Sequence, residues 1–172
     1  MLETSDKKQV TSQKGFTLIE LIIYLAIVGF ILTGISYLIL DILGGQVSSY
    51  TDQEINHHLR YITDIMTEDV KVAQDIGSLS SNNLVLDMSG DDITYNFDAG
   101  SKILTRQVGS DPSFVIHDEQ IEVTGSFTDL SRLNRTKNIG IYLEINYKNP
   151  DNLSDYNSST TANLAVELRG RK

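Results

Sequence analysis

A chain of 172 residues can hold one domain with a real core but not two large ones. Its formal net charge is -9, and the acidity sits from Asp41 onward, where 11 Lys/Arg face 20 Asp/Glu. Such a surface repels phosphate backbones, so direct nucleic-acid binding is not expected. There is no cysteine, which excludes disulfides, thiol catalysis and cysteine-ligated metals together.

Residues 1–15 are polar and weakly basic, with Lys7, Lys8 and Lys14 against Glu3 and Asp6. Residues 16–40 then form an apolar run of 25 residues, interrupted by Glu20 and a few small hydroxyls. A helix of that length spans a bilayer, since each residue rises about 1.5 Å. A removable secretory signal has a shorter apolar stretch of roughly 7–15 residues, followed by a small-residue cleavage site, and neither feature fits here. Lysines precede the run, and Asp41, Asp52 and Glu54 follow it. The positive-inside tendency therefore puts the N-terminus in the cytoplasm and the C-terminal part outside, as a single-pass protein.

Beyond Asp41 the helix continues with a changed character. Ile55, Leu59, Ile62, Met66, Val70 and Ala73 recur every three or four residues, the spacing of one apolar stripe. Gly77 falls where a left-handed helix cap is expected, so the helix is predicted to run to Ile76, about 90 Å from Phe16. Gly44 and Gly45 are its expected soft point, because glycine costs about 1 kcal/mol relative to alanine in a helix interior. Past Gly77 the period becomes two. Residues 139–147 and 162–168 alternate apolar and mostly polar, and with 84–88, 92–97 and 102–106 they read as antiparallel strands with one buried face. Residues 109–138 and 148–161 are the least regular. The expected fold is α+β, one long N-terminal helix packed against an antiparallel β-sheet through the Ile55–Ala73 stripe.

Lys14-Gly15-Phe16-Thr17-Leu18-Ile19-Glu20 resembles the processing motif of type IV prepilins and the related pseudopilins. The resemblance is close from Lys14 to about Leu43 and general in plan beyond. It implies that a prepilin peptidase cuts after Gly15 and methylates the new N-terminal Phe16. Glycine leaves the backbone at the cut unhindered, and Phe16 starts the apolar run, so the bond falls at the water–lipid boundary. Phe16 and Glu20 are the expected assembly residues. A carboxylate in a membrane helix costs several kcal/mol unless paired or near the interface, and cleavage creates an ammonium that a neighbouring subunit's Glu20 can neutralise. The organisation implied is a prepilin leader (1–15), a transmembrane and filament-core helix (16–43), its amphipathic continuation (44–77) and an extracytoplasmic β-rich pilin domain (78–172). Expected partners are the peptidase, other pilin or pseudopilin subunits, an inner-membrane assembly platform and the lipid bilayer.

Major pilins commonly carry a proline partway along the membrane helix and two cysteines near the C-terminus. This chain has Tyr37 and no proline in the helix, and no cysteine. Tyr95 and Phe97 followed by Leu104 and Arg106 look like minor pilins and minor pseudopilins. The expected function is thus a structural, non-enzymatic subunit of the minor kind, in a pilus, a type II secretion pseudopilus or a DNA-uptake pseudopilus. The alternative is an unprocessed single-pass anchor displaying an adhesive or ligand-binding domain. No cofactor or metal site is expected. His57 and His58 read as exposed helix positions pointing in different directions, and His117 as a loop or strand-edge residue. Asp151, Asn152, Asp155 and Asn157 gather oxygens without EF-hand spacing and read as a solvated loop rather than a calcium site. Ser154, Ser158, Ser159, Thr160 and Thr161 have no partnering base.

Overall fold

A computed structural model describes residues 15–132 and 136–169. It contains one helix, α1 (Leu18–Val72), and eight strands: β1 (Asp75–Leu79), β2 (Asn83–Asp87), β3 (Ile93–Asp98), β4 (Ile103–Val108), β5 (Phe114–Val115), β6 (Ile121–Asp129), β7 (Asn138–Tyr147) and β8 (Ser159–Glu167). The chain divides into two compact units, Met1–Leu43 and Gly44–Lys172. Residues 1–14, Lys14 included, lie outside the described residues.

In the first unit α1 is apolar on every side, and its large side chains from Leu18 to Leu43 are exposed. It is long and apolar enough there to cross a membrane. Its hydroxyls do not spoil that character. Thr33 Oγ1 donates to the Gly29 carbonyl at 2.8 Å and Ser36 Oγ to the Leu32 carbonyl at 2.9 Å, so each is satisfied within the helix. Gly44 and Gly45 do not interrupt α1.

In the second unit the amphipathic stripe is real. Ile55, Ile62, Met66 and Val70 are buried, Leu59 packs partly against them, and Ala73 closes the row just past the helix end. Two polar residues, Thr51 and His58, occupy the same buried face. This face shares one core with Leu84, Leu86, Tyr95, Phe97, Leu104, Val123, Ile139, Ile141, Leu143 and Ile145 from the strands. The α+β expectation therefore holds, with the strands divided between two antiparallel sheets, β1-β2-β3-β4-β5 and β6-β7-β8, each in chain order. β6 closes the gap between them: Val123 N donates to the Lys102 carbonyl at 2.8 Å and Phe127 N to the Ser81 carbonyl at 2.9 Å, both in turns of the first sheet.

α1 is pinned to the first sheet by a polar trio. Tyr95, fully buried, donates its hydroxyl to Asp69 Oδ2, and Arg106 Nε donates to the same oxygen at 2.9 Å. Burial, reinforced by the Asp69 carboxylate, pushes the Tyr95 phenol far above its ordinary value, so it stays a donor.

The predicted helix end is corrected. α1 stops at Val72, not Ile76, because Gln74 N donates to the Asp87 carbonyl and Asp75–Leu79 pairs with β2. Gly77 is not a helix cap; it sits where the β1–β2 register shifts, between Ile76 and Ser78, as a bulge requires. A second correction concerns 109–138, read as irregular, which contains β5 and the nine-residue β6.

β6 escapes the alternation test at Gly125, which takes an inward position between Val123 and Phe127. A Cβ there would come within 2.3 Å of the Tyr142 carbonyl oxygen and 2.7 Å of the Phe97 ring. The Phe97 ring lies over this bare backbone and packs on Phe127, centroids 4.9 Å apart. Gly125→Ala should therefore destabilise the domain by about 2–4 kcal/mol, because backbone and a core ring must both give way. Denaturant unfolding checks this, and a loss below about 0.5 kcal/mol would show that the close approach relaxes freely.

Candidate functional site

The Gly15–Glu20 segment combines an unhelical entry with a capped helix start. Gly15, Phe16 and Thr17 precede α1 and are exposed. Among the described residues nothing lies within 4 Å of a Cβ built on Gly15, its chain neighbours aside. Thr17 is the N-cap: its Oγ1 accepts from the Glu20 backbone N–H at 3.3 Å, and its carbonyl accepts from Leu21 N at 3.2 Å.

Thr17-Leu18-Ile19-Glu20 has the spacing of a capping box, in which the glutamate would reach back to the Thr17 N–H. That half of the box is replaced here. Tyr24, one turn on, donates its hydroxyl to Glu20 Oε1 at 3.3 Å. The Tyr24 ring also meets the Phe16 ring edge-on, centroids 6.0 Å apart. Glu20 is half-buried, Phe16 is 75% exposed, and the carboxylate lies at the end of the helix where the dipole favours negative charge. The structure thus brings Phe16, Glu20 and Tyr24 together, with Gly15 just ahead of them. Sequence reasoning passed over Thr17 and Tyr24, although the Thr-x-x-Glu spacing and the i, i+4 relation to Glu20 were signals for both.

Residues 10–36 match the family model described as the prokaryotic N-terminal methylation motif. That segment is similar to the N-terminus of type IV prepilins. The match contains Gly15, Phe16, Glu20 and the first half of the membrane-length helix, and one long helix against antiparallel sheets is the α+β architecture of the chain. Neither curated proteins nor solved structures give a match to the chain.

The other expected positions fall as follows. His58 is not exposed: it belongs to the buried stripe, between Ile55 and Ile62, at 6% exposure. Its place follows from the three-and-four spacing that defines the stripe. His57, next along, is exposed. His117 follows β5. Its Nε2 accepts from the Leu104 backbone N–H at 3.2 Å and its Nδ1 faces the Asp118 carbonyl at 3.0 Å. Burial holds its imidazole below the ordinary histidine value, in keeping with an Nε2 that must accept. In the 148–161 segment, Asn149 closes the loop by itself, donating to the Leu153 carbonyl and accepting from Leu153 N. A short 3-10 turn, Ser154–Tyr156, follows, and Asp155 lies against Gly44.

Proposed function

We propose that the protein is a structural, non-catalytic subunit of a type IV pilus-like or pseudopilus filament, made as a precursor and cut between Gly15 and Phe16 by a prepilin peptidase. The observation that carries this reading is the methylation-motif match over 10–36, set on an exposed, unhelical Gly15–Phe16 bond with Glu20 in the first turn of the helix. Each part has a physical role. A bond outside the helix enters a protease cleft without first unwinding a helix. The apolar start of α1 keeps the product in the bilayer. Cleavage creates an ammonium on Phe16, and Glu20 of an adjacent subunit neutralises it in low dielectric. Before assembly, the Tyr24 hydroxyl and the head-group region offset the cost of the lone carboxylate.

The absence of cysteine and of a proline in α1 favours a minor subunit, one that starts or caps a filament. Its membrane partners are then an inner-membrane assembly platform and the other subunits, with the 44–172 unit outside the cytoplasm. In cells lacking prepilin peptidase the protein should stay full-length and disappear from the sheared filament fraction. Full-length protein recovered in filaments from such cells would refute processing as the gate to assembly.

A further inference from the structure

We propose that Glu54, His58 and Asp118 form a binding site for a divalent transition metal of the zinc class, joining α1 to the segment that follows β5. Glu54 and His58 are four residues apart on α1, so their side chains lie one above the other. Asp118 reaches the same point from the other side of the cleft. His58 Nε2 lies 3.3 Å from Glu54 Oε1 and 3.3 Å from Asp118 Oδ2, and the three ligand atoms fall within 4.8 Å of one another.

Those distances suit a shared metal better than a shared proton. A charge-assisted N–H···O bond runs about 2.7–2.9 Å, and one Nε2–H cannot point straight at two oxygens. Zinc holds imidazole nitrogen and carboxylate oxygen at about 2.0–2.2 Å, and the edge of a tetrahedron with those radii is about 3.4 Å. Charge points the same way. Among the described residues neither carboxylate pairs with a Lys or Arg, so both face only the imidazole.

His58 is the buried anchor of the trio, and its Nδ1 has no hydrogen-bond partner among the described residues. No contact on that side obliges Nδ1 to stay an acceptor, so it can carry the proton while Nε2 ligates. It also lacks the acceptor that usually stands behind a ligating histidine, a partner worth about 10–100-fold in affinity. The site is therefore of moderate strength, weaker than a structural zinc. An imidazole with two carboxylates suits Zn2+, Co2+ or Mn2+, whereas Ca2+ and Mg2+ take oxygen ligands. The fourth position opens on a cleft of about 590 Å³ that Tyr61, Phe114 and His117 also line. His117 is not a ligand, since both its ring nitrogens are engaged with the backbone.

The test uses the detergent-solubilised full chain, freed of metal by chelator and titrated with Zn2+ alone. Saturable one-to-one binding is expected, with a rise in Tm of about 5–10 °C at roughly 100 times the Kd. Co2+ should give the strong visible absorption of a tetrahedral site. Asp118→Asn and Glu54→Gln change side chains that are not deeply buried, so the metal-free Tm should stay within about 1 °C, while Zn2+ affinity falls at least about tenfold. His57→Ala should bind as the wild type does. No saturable Zn2+ binding, or unchanged affinity in both carboxylate variants, would overturn the proposal and leave the trio a hydrogen-bonded cluster only.

Discussion

Gly15→Val protein should remain full-length and membrane-bound. Among the described residues nothing but its chain neighbours lies within 4 Å of a Cβ at Gly15, and the bond after it is outside α1. Valine meets no described residue of the free protein beyond its neighbours, so the expected effect arises in the peptidase. There a branched side chain beside the scissile carbonyl displaces the bond from the attacking group. A misplacement near 1 Å costs about 100-fold in rate. Insertion depends on the apolar N-terminal part of α1, which the substitution does not touch. A processing blot of the membrane fraction reads the outcome. A product shortened by the leader at wild-type yield would mean that the cut is elsewhere.

Glu20→Ala should block assembly while sparing both insertion and cleavage. The helix start survives, because Thr17 Oγ1 accepts from the Glu20 backbone N–H, which alanine retains. Insertion should be at least as good, since a carboxylate leaves the bilayer edge. Gly15 and Phe16 are unchanged, so the cut remains. What goes is the carboxylate facing a neighbouring subunit's amine. Losing one member of a buried pair costs roughly 3–5 kcal/mol, a factor above about 100 in incorporation. Tyr24 loses its acceptor too, but its hydroxyl can turn toward the head groups. Filament-fraction yield, read beside a processing blot, separates the steps. Processed Glu20→Ala protein in filaments at the wild-type level would sink the pairing mechanism and leave the cleavage assignment intact.

The legible parts of the fold were those with an unbroken period. Ile55, Ile62, Met66 and Val70 repeat at helical spacing and all are buried. β2, β3, β7 and β8 alternate in burial, and they and β4 appear within a few residues of their expected bounds. β6 did not, because Gly125 replaces an inward apolar residue to admit the Phe97 ring, a tertiary demand with no local trace. β1 was masked in the same way: Gly77 signals a helix cap and a strand bulge equally well, and only the pairing with β2 decides.

At the N-terminus the site was readable because Gly15, Phe16 and Glu20 are contiguous. Tyr24's role depends on one helical turn, short enough to find by counting. The Glu54–His58–Asp118 trio was beyond reach, since Asp118 arrives from a distant stretch of chain and His58 looks exposed until the polar members of the stripe are counted with the apolar ones.

The most direct test of the central claim is the mass of the N-terminal peptide of the protein isolated from its native membrane. A chain beginning at Phe16, with or without an N-methyl group, is the predicted result. A chain beginning at Met1, with Gly15–Phe16 intact in cells that contain prepilin peptidase, would contradict it and favour an unprocessed single-pass anchor.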